Sequence, residues 1–340
     1  MATRNFCKNR ASDPSTGFVF NSIPDYLAYH LSLILISLSY GFILSSMPLT
    51  IFKDRFAYLR YAENSLDKLF QYWANSPLTG IVNEPLWLLI NYVLSIFFTP
   101  ENVLRVIIFI PATITALIVL QHGPKHFIWL LVFLLMPQVI KSHIIHLRQG
   151  LASTVFLMGW LSCKPTIRLT FIAITPFIHS AFFIVIMLLA LSKIANHLRI
   201  SVDLRATLFT IAGIFMGIGG LHWASEVLGA RQAGIYSFEM KAASGLGFVF
   251  WFLVLLVMSL QGRDFIRRHT FELGTIIFYL STFFFIEVAT RIFKCTMIPL
   301  LLAGIYLTDW RRQVFFILIV FYGVSQHALD FYNSWSSYIP

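Results

Sequence analysis

Long apolar runs alternate with short polar connections along most of this chain. The runs of Leu, Ile, Val and Phe are too long and too frequent for the core of a soluble protein, and crossing a bilayer takes roughly 20 helical residues. We therefore expect an all-α, polytopic membrane protein with about 10–12 membrane segments. The predicted apolar spans are 26–51, 84–99, 103–120, 127–140, 149–163, 167–192, 203–220, 245–261, 271–290, 292–309 and 313–329.

The composition agrees with this pattern. The 340 residues are 58% hydrophobic and 12% charged, with a mean hydropathy of +0.76. A net charge of +10 is also typical of nucleic-acid binding, but the basic residues lie in short clusters between apolar runs, as the positive-inside rule distributes them. We expect one integral membrane domain over residues 1–340, with outer loops near 52–83 and 221–244 and no nucleic-acid partner.

The amino terminus and the cysteines indicate no further structure. Residues 1–23 have no apolar core, which predicts no cleavable signal peptide. The three cysteines are widely spaced and lack any CxxC or Cys/His ligand spacing, which predicts neither a disulfide framework nor a zinc site: Cys7, Cys163 and Cys295.

Basic clusters without neighbouring acids orient the chain, because such clusters stay in the cytoplasm. The outer loops and Arg291 then face the outside. The clusters are Arg4/Lys8/Arg10, Lys164/Arg168, Arg263/Arg267/Arg268 and Arg311/Arg312.

Two segments must then be broken. Keeping both Lys164 and Lys193 inside requires 167–192 to enter the membrane and return, with the break at Thr175-Pro176 and His179-Ser180 at the tip. The same reasoning breaks 127–147 at Pro137. The alternative topology makes both segments plain helices and places Lys164 and Arg168 outside.

Three ionisable side chains lie at the ends of apolar stretches, where they are costly unless they serve a polar site. Arg148 and Arg291 carry guanidinium groups, whose planar donors match phosphate oxygens, so the pair suggests an anionic ligand such as a lipid diphosphate. His179 follows an apolar run, and its imidazole is a candidate base. The alternatives are arginines that reach the headgroups or pair with Glu84 and Glu287, and a histidine that bonds between helices.

The segment 52–83 combines carboxylates, arginines and aromatic rings, including Asp54, Arg55 and Tyr58. Such a mixture suits a sugar, whose hydroxyls want bidentate partners and whose C–H faces stack on rings. It suits an interfacial helix equally well. His143 and His146 have no carboxylate or cysteine nearby in sequence, so we expect no metal site and no cofactor.

Four short segments follow one another along the chain: Asp54 to Tyr58, Glu84-Pro85-Leu86-Trp87, Leu147-Arg148-Gln149-Gly150-Leu151-Ala152 and Ile178-His179-Ser180. In their order and approximate spacing they resemble the motifs of the EpsG-like polysaccharide polymerases, relatives of the Wzy polymerases. The family pattern is D-x-x-x-Y, E-P-x-(Y/W), (I/L)-R-Q-x-(L/I)-A and (I/F)-H-(S/Y)-S-A.

The likeness covers about residues 50–195, and later agrees chiefly through Arg291. Ala181 stands where a second serine is expected, and Trp87 where tyrosine is frequent, which leaves sugar specificity open.

The resemblance implies a glycosyltransferase of GT-C-like polymerase architecture in the bacterial inner membrane, with its site facing the periplasm or exterior. It implies donor and acceptor glycans linked to undecaprenyl diphosphate, membrane lipid as a partner, and a chain-length regulator and a flippase as candidate partners. Catalytic roles fall on His179, Arg148, Arg291 and Glu84. Substrate binding falls on Asp54, Arg55, Tyr58, Trp87, Gln149 and Ser180.

Two other functions compete with this one. A lipid-linked oligosaccharide flippase or transporter also places arginines and broken helices at membrane depth, but such carriers usually show two similar halves, and this sequence has no internal repeat. A membrane O-acyltransferase would use His179 as its base. That function leaves the paired arginines and the aromatic segment 52–83 without a clear task.

Overall fold

The computed structural model describes residues 23–49, 54–229, 245–284 and 288–336. Within these ranges the chain is almost wholly helical and contains no β-strand. The predicted all-α class is confirmed, and several of the helices are long and apolar enough to cross a bilayer.

The first five described helices are α1 (Ile23–Ser46), α2 (Arg55–Asn75), α3 (Pro77–Val82), α4 (Pro85–Ser95) and α5 (Pro100–Leu120). Helices α1 and α5 pack along each other, and a Cβ atom at Gly41 would lie 2.0 Å from the Oγ1 atom of Thr113, so only glycine permits their close approach. Proline occupies the first turn of α3, α4 and α5, where its missing N–H costs nothing.

The middle of the chain contains five shorter helices. They are α6 (Phe127–Leu134), α7 (Pro137–Ile144), α8 (Leu147–Trp160), α9 (Pro165–Ile178) and α10 (Phe182–His197). Helix α8 packs against both α5 and α9.

The remaining helices are α11 (Val202–Phe215), which continues as a π-helical turn over Met216–Gly220, α12 (Leu221–Leu228), α13 (Leu246–Ser259), α14 (Arg263–Arg268), α15 (Thr270–Thr282), α16 (Val288–Cys295), α17 (Met297–Gly304) and α18 (Asp309–Ser336). Helix α11 packs against α15, and α16 contacts α7, α8, α10 and α15. These helices complete the larger core.

By length and composition, three described helices can cross a membrane, at Leu27–Ser46, Pro100–Leu120 and Asp309–Tyr332. The bent pair α6 and α7 makes a fourth. The predicted spans 84–99, 167–192 and 245–261 correspond to apolar helices of 11 to 16 residues. Along 84–99 and 245–261 the described chain thus forms helices shorter than the predicted spans, and 167–192 is divided in two.

Both predicted breaks occur, but one is displaced. Helices α6 and α7 meet at an angle of 52°, and Pro137 begins α7, as predicted for 127–147. The segment 167–192 is interrupted after Ile178, where His179 has extended backbone angles. Pro176 stays inside α9, so the prediction of a break at Thr175-Pro176 is wrong by about one helical turn.

The segment 52–83 is not a loop in its described part. It forms α2, kinked at Asn64, and α3, and α2 packs along α4 and α5. Of the second predicted loop, 221–244, residues 221–228 form α12 and residues 230–244 lie outside the described residues. Residues 1–22 and Glu287 also lie outside them.

Cys7 lies outside the described residues, and the absence of a disulfide framework stays a prediction. Cys295 is a free, buried thiol within the larger core.

Two apolar clusters divide the buried interior. The larger one runs from α1 to α18 and includes Phe156, Trp251 and Phe293. The smaller one gathers Tyr58, Tyr61, Trp87, Leu88 and Leu147 with residues of α1 and α5. Tyr58 and Tyr61 sit one helical turn apart on α2, so both rings meet Trp87 edge-on.

Gly150 is the point of closest approach between α7 and α8. A Cβ atom there would lie 2.4 Å from the carbonyl oxygen of Ser142 and 3.0 Å from the Cα of His143, both backbone atoms that cannot move aside cheaply. We predict that Gly150→Ala lowers the free energy of unfolding by about 1–3 kcal/mol, the usual cost of overpacking. Thermal unfolding of detergent-purified protein measures this.

Gly123→Ala is the matched control, because a Cβ atom at Gly123 meets only the His126 ring at 3.7 Å. It should unfold at the wild-type temperature. Equal midpoints for Gly150→Ala and Gly123→Ala would show that the two helices are not packed this closely.

Candidate active site

The centre of the site is the carboxylate of Glu84, which is buried between three segments of chain. Its Oε2 accepts a hydrogen bond from Nη1 of Arg148 at 2.5 Å, and its Oε1 accepts one from Nδ1 of His179 at 2.9 Å. The backbone N–H of Ser180 also donates to Oε1 at 3.1 Å. The side chains of Glu84 and His179 are 5% and 7% exposed. A buried carboxylate with these donors is paired on both oxygens.

The backbone conformation at Glu84 directs its carboxylate towards Arg148 and His179. Glu84 stands between α3 and α4 with φ 62° and ψ 52°, a left-handed conformation that costs a non-glycine residue about 1–3 kcal/mol. Pro85 follows it and starts α4, since proline suits the first helical position. Before it, the amide of Asn83 donates to the carbonyl oxygens of Thr79 and Gly229 at 2.9 and 3.0 Å. These two bonds hold the turn that places the carboxylate.

His179 owes its position to the end of α9. The helix stops at Ile178, and the extended backbone of His179 directs both its ring and the next N–H, that of Ser180, towards Glu84. The Ser180 hydroxyl also lies 3.4 Å from Oε1. Three groups on two adjacent residues thus meet one carboxylate oxygen, which a continuous helix could not achieve.

Arg148 begins α8 and reaches across to Glu84 with 18% of its side chain exposed. Its guanidinium lies 5.5 Å from the centre of the Tyr61 ring, a cation–π contact. Tyr58, one turn earlier on α2, lies within range of the same charge. These two tyrosines of the smaller apolar cluster therefore help to stabilise the charge of Arg148.

The charges around Glu84 decide its protonation state. The guanidinium of Arg148, the ring N–H of His179 and the backbone N–H of Ser180 all donate to its two oxygens and stabilise the charged carboxylate. Glu84 therefore serves as a hydrogen-bond acceptor in this site.

This arrangement fixes the tautomer of His179. A carboxylate can only accept, so Nδ1 carries the proton and Nε2 is left with a lone pair. No hydrogen bond to Nε2 occurs among the described residues. Such a carboxylate–imidazole pair orients the ring and stabilises the cation that forms when Nε2 takes a proton. The chemistry available here is general-base catalysis beside a guanidinium.

Two predicted substrate-binding residues are buried beside this centre. Trp87 is 1% exposed and Gln149 is 2% exposed, and among the described residues neither Nε1 of Trp87 nor Nε2 of Gln149 has a hydrogen-bond partner. Buried donors of this kind are rare in folded proteins and mark places where a ligand or water is bound. Tyr58, packed edge-on to Trp87, is buried in the same cluster.

Asp54 and Arg55 lie further from the centre. The carboxylate of Asp54 is about half exposed and its Oδ2 is 4.0 Å from Nδ1 of His146. Arg55 donates to Glu101 at 3.0 Å, on the exposed side of α2 and α5. The structure therefore ties Arg55 to an exposed ion pair, and its predicted role in substrate binding is not supported by its contacts.

Arg291 approaches the site from the opposite end of the chain. It is half-buried on α16, the helix that packs against α7, α8 and α10. The charges of both Arg291 and His179 act on His146, the residue just before α8. The two predicted residues are thus brought to the same region, near His146.

Three contributors were missed as site residues on the sequence. Tyr61 stacks under Arg148, and its signal was the i, i+3 spacing from Tyr58. His146 lies between the charged groups, although the sequence pointed to it only as a rejected metal ligand. Lys294 stands one turn after Arg291 on α16, where its charge acts near Lys141 and Arg291. In the described ranges no group of three or more His, Cys, Asp or Glu side chains could hold a metal ion.

Comparison of the chain with protein-family models, with curated proteins and with solved structures finds no match. The likeness to the EpsG-like polymerases thus stays a prediction from the sequence motifs. What the structure adds is the spatial relation of those motifs: Glu84, Arg148 and His179 come from three of them and share one carboxylate.

A double-mutant cycle tests the buried ion pair. Glu84→Gln and Arg148→Met should each cost about 3–5 kcal/mol of unfolding free energy, because each leaves a charge without its partner. The double variant should cost clearly less than the sum. Chemical unfolding in detergent measures all three.

The exposed pair Arg55 and Glu101 provides the control cycle, since the Glu101 side chain is 58% exposed. Its coupling energy should lie in the range of about 0–1 kcal/mol. If the Glu84 and Arg148 cycle gave no more coupling than this control, the two side chains would not be paired in the folded protein.

Proposed function

We propose that this protein is a membrane glycosyltransferase of the polysaccharide-polymerase type. It would transfer a glycan chain from undecaprenyl diphosphate onto the non-reducing end of a lipid-linked repeat unit, as in O-antigen, capsule or exopolysaccharide synthesis. The observation that carries the proposal is the Glu84–His179 pair with Nε2 of His179 left as an acceptor beside Arg148. The proposal extends to a multi-pass, GT-C-like polymerase in the bacterial inner membrane with its site facing outward.

The reaction needs a base for the acceptor hydroxyl. In our proposal Nε2 of His179 takes the proton of the acceptor sugar's hydroxyl as its oxygen bonds to the anomeric carbon of the donor. The bond from that carbon to the diphosphate oxygen breaks, and the lipid diphosphate leaves with the electron pair. Glu84 compensates the positive charge on the imidazole ring.

The leaving diphosphate needs positive charge. Preorganised guanidinium groups stabilise developing negative charge best where water is scarce. Arg148 is already paired with Glu84, which reduces the net charge it offers, whereas the charge of Arg291 acts on His146, two residues before Arg148. We therefore assign the diphosphate chiefly to the side of Arg291, with Arg148 between the diphosphate and the carboxylate.

The geometry changes the role we give to Glu84. The sequence motifs place it among acceptor-binding or base residues, but its two oxygens already accept bonds from Arg148, His179 and Ser180. Glu84 is better described as a positioning residue. Trp87, Gln149 and Tyr58 remain our candidates for contacts to sugar hydroxyls and ring faces, since two of them carry buried donors without a partner.

Substitution of the three charged groups tests the proposal in cells. We expect His179→Ala, Arg148→Ala and Arg291→Ala each to abolish long-chain polysaccharide and leave single repeat units capped on lipid. Arg148→Lys should be poorly tolerated, because lysine cannot replace a planar fork of donors. Ladder gels of cell-surface glycan, with protein levels measured alongside, give the result.

Two exposed residues serve as matched controls, Arg263 and His197. Arg263→Ala and His197→Ala should give normal ladders. Normal ladders from His179→Ala, Arg148→Ala and Arg291→Ala at wild-type protein levels would defeat the assignment of the site.

Reconstitution separates a polymerase from a carrier or an acyltransferase. Purified protein in vesicles, supplied with lipid-linked repeat units and no nucleotide sugar, should make polymer. A flippase would move repeat units across the bilayer without joining them, and an acyltransferase would require an acyl donor. Absence of polymer with active, folded protein would count against the proposal.

A further inference from the structure

A cluster of basic groups lies around His146. It consists of Lys141 on α7, His146 before α8, and Arg291 and Lys294 on α16. Arg291 and Lys294 are three residues apart on one helix, so they share a face. Helix α16 packs against both α7 and α8, which brings the four groups into one region.

Two of the described carboxylates near this cluster are already engaged. Nζ of Lys141 lies 2.6 Å from Oδ1 of Asp330 on α18. Glu84 is shared between Arg148 and His179. The third, Asp54, is about half exposed, and its Oδ2 lies 4.0 Å from Nδ1 of His146, beyond hydrogen-bond distance.

Lys294 has no such partner. Its ammonium makes no hydrogen bond and no ion pair within 4.0 Å in the part of the chain that the structure describes, although the side chain is half-buried. The positive charges of Lys141 and Arg291 act on it, and so does Asp330, whose Oδ1 already accepts from Lys141. A part-buried cation among like charges is costly unless an anion joins it.

We propose that Lys294 is a phosphate ligand: with Arg291 and His146 it forms a subsite for the diphosphate of a lipid-linked substrate. In this assignment the groups that bind the leaving phosphates are distinct from the base, His179. A compact ammonium that can turn three donors towards phosphate oxygens complements the planar guanidinium of Arg291. The assignment deepens, and rests on, the proposed glycosyl transfer, but its binding test stands apart from it.

Ligand titration of the purified protein in detergent tests the subsite. Inorganic diphosphate and farnesyl diphosphate are the probes, and the rise in unfolding temperature with probe concentration gives the affinity. We expect wild type to bind and Lys294→Met to bind at least about tenfold more weakly, the loss that follows when one charge-assisted hydrogen bond is removed. Binding of farnesyl diphosphate alone would assign the ligand to lipids, and binding of both probes to phosphate chemistry in general.

Two further variants make the result decisive. Lys294→Arg keeps the charge and should retain most of the affinity, which distinguishes lost charge from lost packing. Lys193→Met removes an exposed lysine and should bind as wild type does. Unchanged affinity of Lys294→Met, equal losses in Lys294→Met and Lys294→Arg, or no binding of either probe by wild type would each overturn the proposal.

The test also separates this inference from the proposed function. If Lys294 governs diphosphate binding but reconstituted protein makes no polymer, the subsite stands and glycosyl transfer fails. If Lys294→Met makes polymer and binds diphosphate normally, glycosyl transfer stands and the subsite fails.

Discussion

The buried carboxylate of Glu84 is the one acceptor on which three distant segments of the chain converge. It takes hydrogen bonds from Arg148 at the start of one helix, and from His179 and Ser180 in a break between two others. An anion at this depth is tolerable only because these donors surround it, and removing any of them would leave charge without compensation. The interruption of the helix at His179 and the left-handed backbone at Glu84 are both local costs that this convergence requires.

The basic side of the site follows from the same charge balance. Glu84 neutralises Arg148 and Asp330 neutralises Lys141, whereas Lys294, on the helix Val288–Cys295, has no ion pair among the described residues. This separates a neutral, tightly hydrogen-bonded centre from a cation without such a partner. A glycosyl donor carries just this asymmetry, with an uncharged sugar at one end of the breaking bond and a diphosphate at the other.

The sequence was informative wherever a single residue type determines local geometry. Pro137 predicted the break in 127–147, and the ionisable residues Arg148 and His179 at the ends of apolar stretches pointed to a polar site that the structure brings around Glu84. The displaced break after Ile178 could not be predicted, because whether a proline ends a helix or stays in its last turn depends on packing against its neighbours. Nor could the attachment of Arg55 to Glu101, which lies 46 residues away. The segment 52–83 was equally compatible with a loop and with an interfacial helix, and only its packing along Pro85–Ser95 decided the matter.

The side-chain amide of Asn83 joins two distant parts of the molecule. It bonds to the carbonyl oxygens of Thr79 and of Gly229, the last described residue before 245, and its own backbone leads directly into Glu84. A displacement of the chain at Gly229 therefore reaches the carboxylate through one amide and one peptide unit. An antibody fragment or cyclic peptide that displaced this exposed glycine would therefore shift Glu84, and with it the ring of His179, from a distance.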